Sequence, residues 1–378
     1  MREYKKCTKC LMDTTDEDII FDENGVCNHC HKAKELLAKV AFTQEQEKEN
    51  LVRITKTVKD ANKNSKYDAI LGISGGVDSS YLSYLMKEMG LSVLLLHCDN
   101  GWNSITAVEN IKKIVDKTGF DLETYVINWK EFKDLQRSFI KAGVIDIEVL
   151  TDHANRAAMF RIAKKYKIKY VVSGANYATE HSMPRGWSWN KRDLMNIKGI
   201  QRQFGTLPLK TFPTLGSFEI LIYTELGLGL KYIEPLNNII YRKDKAMEKL
   251  HEYFDWQYYG GKHYESKFTK FYQAYILPKK FKVDKRQVHL SDLMRNGEIT
   301  YEEAEAEFNE VIYDDVELKR DREFFLKKLS FSEDEFSKIM QEKPHKHDEY
   351  PTDKSYINFI IKVGKVVKVV YKKIVKQR

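Results

Sequence analysis

A glycine-rich turn between an apolar run and a helical pattern constrains this chain more than any other feature. Residues 69–73 are apolar, and Ser-Gly-Gly-Val-Asp-Ser follows at positions 74–79. Adjacent glycines let a backbone approach an oxyanion, and the amides at a helix start face negative charge. The turn therefore predicts a phosphate-binding loop, with a strand-to-helix turn that binds nothing as the alternative. The candidate nucleotide-binding residues are Ser74, Gly75, Gly76, Asp78 and Ser79.

Spacing excludes two other phosphate-binding loops. No Lys follows the glycines, so the Gly-x-x-x-x-Gly-Lys pattern of Walker loops is absent from this turn. The Gly-x-Gly-x-x-Gly pattern of dinucleotide-binding folds is absent from it as well. The phosphate site is therefore expected to be of a third kind.

Short apolar runs alternate with helical patterns in the first half of the chain. The runs are residues 69–73, 93–96, 125–127 and 170–172. Helices are expected to begin near Asp78, Ser104 and Asp152. Parallel strands joined by helices produce this alternation, so we expect an α/β fold whose parallel sheet is covered by helices on both faces.

The flanking regions have other patterns. Residues 33–63 predict a polar helix, and residues 177–236 predict loops because they are rich in Gly, Pro and aromatic residues. Helical patterns return at 243–254 and 289–340, with a turn at 297–300. We therefore expect a mostly helical C-terminal region.

Polar residues also follow two other predicted strands. Asp99 and Asn103 come after the second strand, and Gly174 comes after the fourth. The carboxyl ends of parallel strands lie at one edge of a sheet, so we expect these residues to bind the same nucleotide. Ordinary turn formation, for which Asp, Asn and Gly are common, is the alternative.

Four of the five cysteines form two Cys-x-x-Cys pairs near the N-terminus, with sixteen residues between the pairs. This spacing is typical of a four-thiolate zinc ribbon, so Cys7, Cys10, Cys27 and Cys30 are the predicted metal ligands. Such a site has no open position for water, and we expect a structural Zn²⁺; four free thiols are the alternative. Cys98 has no partner sulfur and is expected to serve packing rather than catalysis.

The net charge of +8 is concentrated at the C-terminal end. Residues 352–378 contain eight Lys or Arg and one Asp, which leaves the rest of the chain nearly neutral. We therefore expect no nucleic-acid partner. No stretch reaches the roughly 18–20 apolar residues of a spanning helix, and the paired cysteines suit a reducing compartment, so we expect a cytoplasmic protein that is not exported.

The tail itself has isoleucines and valines at helical spacing with lysines between them. A basic amphipathic helix of this kind binds an anionic membrane surface or a partner protein. A terminal helix or strand packed on the body is the other interpretation. Peripheral contact with the inner face of the membrane therefore stays open.

Several motifs together resemble known families. The run Ser-Gly-Gly-x-Asp-Ser resembles the PP-loop of ATP pyrophosphatases, which are adenine nucleotide alpha hydrolase-like. The zinc ribbon, residues 98–104, residues 173–176 and the later blocks 259–271 and 284–291 resemble the N-acetyl sugar amidotransferases of bacterial lipopolysaccharide and O-antigen pathways. The resemblance covers about residues 4–310. It implies a zinc ribbon over 1–32, a linker helix over 33–63, a PP-loop domain over 64–240, a helical substrate or partner region over 241–345, and a basic tail over 346–378.

The resemblance implies an ATP-dependent carbon–nitrogen ligase that forms AMP. The acetamido oxygen of a nucleotide-activated N-acetyl sugar is adenylated and pyrophosphate leaves; ammonia then displaces AMP to give an acetamidino sugar. In the family the loop holds pyrophosphate, and a carboxylate such as Asp78 is associated with Mg²⁺. Ammonia is expected from a separate glutaminase paired with a cyclase-like subunit, because the chain shows no glutaminase nucleophile of its own.

The block at 259–271 provides the candidates for the sugar side. With Asp78, the predicted catalytic residues are Lys262, His263 and Glu265. The predicted substrate-binding residues are Lys270, Lys285 and Arg286, whose charges suit phosphates and a carboxylate. A solvated, Tyr-rich surface loop is the alternative for this block. A PP-loop enzyme that thiolates tRNA is the alternative function, although such enzymes commonly use catalytic cysteines and Cys98 stands alone once the ribbon is counted.

Overall fold

A sheet of five parallel strands forms the centre of the protein. A computed structural model describes residues 3–220, 229–261 and 264–376. The strands are β1 Ala69–Gly72, β2 Val93–Asp99, β3 Asp121–Val126, β4 Tyr170–Val172 and β5 Lys231–Ile233. Their order is β3-β2-β1-β4-β5, and all neighbouring strands are parallel. The order reverses between β1 and β4, so the carboxyl ends of these two strands open a crevice.

α-Helices surround the sheet and build the C-terminal region. In chain order they are α1 Asn28–Leu37, α2 Gln44–Ala61, α3 Val77–Glu88, α4 Ile105–Thr118, α5 Trp129–Ala142, α6 Val149–Lys165, α7 Leu194–Phe204, α8 Ser217–Ile220, α9 Lys243–Phe254, α10 Lys267–Phe271, α11 Arg286–Arg295, α12 Tyr301–Asn309, α13 Asp315–Leu329, α14 Glu333–Gln341 and α15 Lys354–Lys376. A π-helix, Tyr272–Phe281, continues α10 and contains Pro278. Proline has no amide hydrogen and clashes with the carbonyl four residues earlier, which the wider π turn avoids.

Alternate residues of β1 pack on opposite faces of the sheet. Leu71 lies in a core formed with α2, α3, α4 and α9. Ile70 lies in a second core, against α6. The predicted α/β fold with helices on both faces is confirmed, and double burial explains why the central strands are continuous apolar runs.

A third, largely aromatic core joins the C-terminal helices to the sheet domain. Phe132 and Phe139 of α5 pack there with Phe271 and Phe325. Trp102, from the loop after β2, is 1% exposed in this core and donates its indole N–H to Gln136 at 3.0 Å. The core therefore fixes the position of the loop that follows β2.

Two predictions about regular structure were wrong. The region predicted as loops, 177–236, contains helix α7, the short helix α8 and strand β5. The polar helix predicted over 33–63 is two helices, because α1 ends at Leu37 and a 3-10 turn precedes α2. The expected helix starts near 78, 104 and 152 and the helices at 243–254 and 289–340 are confirmed, with the turn at 297–300 separating α11 from α12.

No helix in the described ranges combines the length and apolarity needed to cross a bilayer. The tail forms α15, and Ile357 and Ile360 of its first turns are buried against the body. The helical interpretation of the tail is therefore confirmed over 354–376, and its beginning packs on the protein.

Candidate active site

The predicted phosphate loop connects β1 to α3. Gly76 is the residue before α3, and its carbonyl accepts a hydrogen bond from the Ser80 amide at 3.0 Å. The Ser74 and Ser79 hydroxyl oxygens are 3.3 Å apart, and the Gly76 amide donates to Ser74 Oγ at 3.2 Å. Hydroxyl and amide donors thus gather at the N-terminus of a helix, an arrangement suited to phosphate oxygens.

Gly75 adopts a backbone conformation that favours glycine. Its φ is +79°, and a Cβ at this position would lie 2.5 Å from the carbonyl oxygen of Ala107. The indole N–H of Trp256 donates to the Gly75 carbonyl at 3.0 Å. The back of the loop is therefore held against α4 and the Trp256 segment.

Gly76 lies at the bottom of an open cradle. A Cβ placed on it would lie 3.1 Å from Ser74 Oγ, 3.2 Å from Glu265 Oε1 and 3.2 Å from the Tyr259 hydroxyl. These three oxygens therefore surround a space that a side chain would fill. Burial, together with the charge of Glu265, raises the pKa of Tyr259, so its hydroxyl stays protonated.

A cavity of about 290 Å³, which we call the small cavity, lies between the carboxyl ends of β1 and β4. The loop residues Ser74, Gly76, Asp78 and Ser79 line it. Gly174 and Ala175 line it from the turn after β4. The predicted nucleotide residues Asp78 and Gly174 therefore face one space, at the switch point of the sheet.

The small cavity also contains charged groups. Asp78, Glu180 and Glu265 line it together with Lys243, the first residue of α9. The Tyr241 hydroxyl donates a hydrogen bond to Asp78 Oδ1, and burial raises the pKa of Tyr241 well above its usual value. Clustered carboxylate oxygens beside a phosphate loop are a donor set that suits a hard divalent cation.

A second cavity of about 530 Å³, the large cavity, adjoins the first. Leu96 of β2 and Met159 of α6 form part of its apolar wall. Ser74 and Glu265 line both cavities. The phosphate loop and the later block of the chain therefore meet at the boundary between the two spaces.

A short antiparallel pairing carries Glu265 to the phosphate loop. The Ser104 amide donates to the Glu265 carbonyl at 2.8 Å, and the Lys267 amide donates to the Trp102 carbonyl at 2.9 Å. Asn103 and Ser266 form the bridge between them. Trp102 is buried in the aromatic core, so this pairing fixes Glu265 relative to the sheet.

Ion pairs form the far wall of the large cavity. Lys285 Nζ lies 2.9 Å from a Glu148 carboxylate oxygen, which Gln273 also contacts at 3.2 Å. Lys191 Nζ lies 2.6 Å from Asp146, and Asp146 is fully buried. Each of these lysines is therefore paired with a carboxylate, so the wall contains ammonium donors next to carboxylate acceptors.

A buried histidine supports this wall. His153 donates from Nδ1 to the Lys191 carbonyl across 2.8 Å and accepts at Nε2 from the Leu215 amide across 3.2 Å. Burial lowers the pKa of His153 to about 4. The imidazole is therefore neutral at physiological pH and ties residue 191 to residue 215.

This histidine predicts acid destabilisation. Its pKa is depressed on folding, so its contribution to stability is complete above pH 6.5 and is lost as the pH falls toward 4. We expect the free energy of unfolding to fall by about 3 kcal/mol over this interval because of His153 alone. Urea denaturation at several pH values should show this fall in the wild type and a smaller one in His153→Gln. The surface variant His345→Gln serves as the control, and equal profiles for the wild type and His153→Gln would contradict the assignment.

The residues after β2 divide into two roles. Asn103 lines the large cavity and donates to His97 Nε2 at 3.0 Å, while His97 Nδ1 contacts the Ile73 carbonyl at 3.1 Å. Asp99 lies outside the lining of both cavities and accepts from the Gly101 amide at 2.8 Å. For Asp99 the structure thus favours the turn-forming alternative, because its carboxylate closes the loop that presents Asn103.

The predicted sugar-side residues also separate. Lys285 lines the large cavity, whereas Lys270 and Arg286 lie outside the lining of both cavities. Lys270 Nζ lies 2.5 Å from a Glu317 carboxylate oxygen, and the Arg286 guanidinium lies 2.8 Å from an Asp284 carboxylate oxygen. Lys270 and Arg286 therefore do not line a cavity together with Lys285, and the substrate-binding roles of all three stay predictions. Lys262 and His263 lie outside the described residues, and their catalytic roles stay predictions.

The four paired cysteines come together. Their Sγ atoms all lie within 4.8 Å of one another, with Cys10 and Cys27 at 3.7 Å and Cys7 and Cys30 at 3.9 Å. A tetrahedral ion with metal–sulfur bonds of about 2.3 Å requires sulfurs about 3.8 Å apart. The cluster therefore fits a single tetrahedral metal ion.

Arg295 connects this cluster to the rest of the protein. Its guanidinium donates to Cys10 Sγ at 3.0 Å and, on the other side, to Ser182 at 2.7 Å and Asp292 at 2.9 Å. Four thiolates around a divalent ion carry net negative charge, which this cation offsets. Arg295 thereby joins the ribbon to α11. It also connects the cysteine cluster to the large cavity, because its partner Ser182 is next to Met183, which lines that cavity.

Cys98 is the only cysteine of the sequence outside the cluster. It lines the large cavity, and burial raises its pKa to about 12. A thiol with this pKa is protonated at neutral pH and is a poor nucleophile. The environment of Cys98 agrees with a packing role.

Several lining residues were not predicted from the sequence. They are Glu148, Lys191, Lys243, Gln273 and Tyr259. Tyr241, which bonds Asp78 from outside the lining, was not predicted either. Lys243 had a weak local signal, since it begins a predicted helix near the sheet. Tyr259 begins the block 259–271 that carried the family resemblance, whereas Glu148, Lys191 and Gln273 come from separate segments with no shared spacing.

Comparisons with known protein families match two parts of the chain. Residues 68–178 match the family described as Queuosine biosynthesis protein QueC. Residues 265–364 match the family described as LPS biosynthesis protein WbpG-like, C-terminal domain. The first match contains the phosphate loop, and the second begins at Glu265.

Individual relatives match this chain at low to moderate identity. The tRNA-specific 2-thiouridylase MnmA 2 of Fusobacterium nucleatum is 30% identical over 120 residues, covering 30% of this chain and 35% of the relative. A probable tRNA sulfurtransferase of Methanobrevibacter smithii is 26% identical over 207 residues, covering 48% of this chain and 52% of the relative. The chain thus spans about a third to a half of these relatives. The solved structure of the U34-tRNA thiolase NcsA from Methanococcus maripaludis with its 4Fe-4S cluster aligns with a TM-score of 0.35 at 15% identity, covering 88% of this chain and 90% of that chain.

Proposed function

We propose that this chain, which belongs to the PP-loop superfamily, is an ATP-dependent amidotransferase for an acetamido sugar. Its WbpG-like C-terminal domain supports the proposal. The substrate is a nucleotide-activated N-acetyl sugar, and the product is the corresponding acetamidino sugar. AMP and pyrophosphate are the other products. The pathway is the synthesis of a bacterial surface polysaccharide.

One observation carries this proposal. Ser74 of the phosphate loop and Glu265 of the WbpG-like segment line both cavities. A triphosphate in the small cavity and an acceptor in the large cavity would therefore meet where these residues lie. Adenylyl transfer needs such a meeting, since the acceptor oxygen must reach the α-phosphorus.

The proposed reaction balances without an oxidant or reductant. The acetamido oxygen attacks the α-phosphorus of ATP, an O–P bond forms, and the bond to pyrophosphate breaks. Ammonia then attacks the imidate carbon, the C–O bond breaks, and AMP departs with the former amide oxygen. The amide and ammonia together have four N–H hydrogens and the amidinium product keeps three, so one proton is released, and we assign its removal to the Glu265 carboxylate.

The loop residues provide the electrostatic part of this reaction. Ser74, Ser79 and the Gly76 amide are positioned to bind oxygens of the leaving pyrophosphate. Asp78 and Glu180 would hold Mg²⁺, which when bound neutralises charge on the phosphates. Asp78 is kept in place by the Tyr241 hydroxyl.

We also propose that a separate glutaminase supplies the ammonia. Purified protein should turn over with ammonium salts and remain inactive with glutamine alone. Full activity with glutamine and no added subunit would refute this part while leaving the amidotransferase proposal intact.

The central experiment is to incubate the protein with ATP, Mg²⁺, ammonium and a set of acetamido sugar nucleotides. We expect a product whose mass differs by exchange of an oxygen atom for an NH group, formed together with equal amounts of AMP. ADP as the nucleotide product, or AMP formation that does not depend on any acceptor, would reject the proposal.

Lys285 and Arg286 allow a matched test of the acceptor site. Lys285 lines the large cavity and Arg286 does not, although they are adjacent. We expect Lys285→Met to raise the KM for the sugar nucleotide about tenfold or more, because a hydrogen-bond donor is lost beside Glu148. Arg286→Met should leave that KM nearly unchanged, and steady-state kinetics at saturating ATP distinguishes them. A larger rise in KM for Arg286→Met than for Lys285→Met would show that the acceptor does not bind at this wall.

For the cysteine cluster we propose a structural Zn²⁺. The sulfur separations suit one ion, whereas a cuboidal iron–sulfur cluster needs more widely spaced sulfurs because several irons lie between them. Metal analysis should find one zinc per chain, and the absorbance spectrum should show no visible band. A brown protein that contains iron would contradict this assignment.

The tRNA-thiolating alternative rests on the names of curated relatives such as a 2-thiouridylase and a probable tRNA sulfurtransferase. Thiolation commonly uses a reactive cysteine, and Cys98 has a pKa raised to about 12 by burial. We therefore favour the amidotransferase. Thiolation of tRNA by the purified protein with a sulfur donor, lost in Cys98→Ser, would favour the alternative instead.

A further inference from the structure

Helix α15 exposes an apolar stripe along one face. Tyr356, Phe359, Val363 and Val366 are 59%, 63%, 40% and 62% exposed. Their spacings of three and four residues place them on the same side of the helix. Two aromatic rings and two valines in a row are a larger apolar surface than scattered exposed residues provide.

The body of the protein is already packed against another side of α15. Ile357 and Ile360 are 1% and 7% exposed, so they form the contact with the body. Just before the helix, the Asp353 amide donates to Asp193 at 3.2 Å, and the Pro351 carbonyl accepts from Asn196 at 3.2 Å. The start of α15 is thus fixed on α7, with the stripe turned away from the core.

The residues around the stripe are strongly basic. Lys362 and Lys365 are exposed in the part of the helix whose side chains are described. The sequence continues with Val370 and Ile374 at the same spacing, among further lysines. Residues 352–378 carry eight of the Lys and Arg residues against one Asp, although the rest of the chain is nearly neutral. The WbpG-like match ends at residue 364, so most of this charge lies beyond it.

We propose that α15 lies on an anionic lipid surface, with its apolar stripe in the interfacial region and its lysines among the headgroups. An apolar face bordered by lysines is the composition of helices that lie in a membrane interface. Long lysine side chains can bury their methylenes and keep their ammonium groups at the headgroups. Charge complementarity favours lipid over a protein groove, because a bilayer presents continuous negative charge along the whole helix.

Vesicle cosedimentation of the full-length protein tests this inference. The wild type should bind vesicles of phosphatidylcholine mixed with phosphatidylglycerol and should bind pure phosphatidylcholine at least about tenfold more weakly. High salt should release it, because exposed charges are screened. The triple variant Phe359→Ser, Val363→Ser, Val366→Ser should lose about tenfold or more in vesicle partitioning.

A matched control removes apolar groups from another surface. Val311 and Val316 are 84% and 80% exposed and lie outside α15. The double variant Val311→Ser, Val316→Ser should bind vesicles like the wild type, and all variants should keep the far-ultraviolet circular dichroism of the folded protein. Equal sedimentation of the wild type and the triple variant, or no binding to anionic vesicles, would overturn the inference. Because AMP formation does not enter this assay, its result is independent of the proposed function.

Discussion

Replacing Gly76 by alanine is expected to reduce AMP formation by on the order of 100-fold while the protein remains folded. The added methyl group would lie 3.1 Å from Ser74 Oγ and 3.2 Å from Glu265 Oε1, inside the cradle that we assign to phosphate oxygens. The backbone tolerates the change, since Gly76 has a φ of −75°. Calorimetric titration with ATP measures the expected loss of ATP affinity, and an assay with ammonium measures the loss of AMP formation.

Gly186 provides the control for this substitution. A Cβ on Gly186 would meet no atom within 4 Å. Gly186→Ala should therefore keep both ATP binding and AMP formation. If Gly76→Ala binds ATP as tightly as the wild type, the cradle is not the phosphate site and the proposed reaction loses its support.

Replacing Cys10 by serine is expected to release the metal and to lower the free energy of unfolding by about 5 kcal/mol or more. Cys10 is fully buried and accepts a hydrogen bond from Arg295 at 3.0 Å. The neighbouring Leu11 is tied to α11 by Ser291 at 3.1 Å and by Gln287 at 2.7 Å. Loss of the metal should therefore loosen α11 and with it the wall that contains Lys285.

Metal content and denaturant unfolding measure this effect. Cys98→Ser is the control, because Cys98 lies outside the cluster and should change stability by only about 1 kcal/mol. Hydrogen exchange should show the largest loss of protection in the ribbon and in α11. A Cys10→Ser protein with one bound metal ion and unchanged unfolding would show that the four thiols do not form a metal site.

The strands that are buried on both faces were predictable from the sequence, whereas the exposed edge strands were predictable only in part or not at all. β1, β2 and β4 are buried on both faces and were predicted from their apolar runs. β3 is an edge strand with exposed Leu122 and Val126, so only part of it was predicted. β5 is a three-residue edge strand with an exposed Tyr232, and its short, polar pattern gave no signal.

Helix α7 was missed for a different reason. Besides Ile197 and Ile200, it buries the polar residues Asn196 and Gln201, which form hydrogen bonds to other segments. Gly199 lies in the middle of the helix, and a Cβ added there would come within about 3 Å of the Pro351 ring. The close packing therefore requires glycine at this position. Polar burial and an internal glycine both lower a helical signal.

The candidate site was predictable where one segment carries it. The loop at 74–79 and the cysteine pairs have fixed spacings, and the structure brings each set together. Two partial family matches, over residues 68–178 and 265–364, support the family resemblance. The ion pairs Lys285–Glu148 and Lys191–Asp146 join distant segments, so their partners emerged only from the fold.

Under the proposed function, the pairing of residues 102–104 with 265–267 has a consequence for the choice of acceptor. Backbone hydrogen bonds hold that seam, and backbone bonds do not depend on side-chain identity. A C-terminal half taken from a relative could therefore dock on the same nucleotide-binding half and bring its own counterpart of Glu265. Acceptor choice would then be inherited with the C-terminal half, while the residues proposed to bind ATP stay the same.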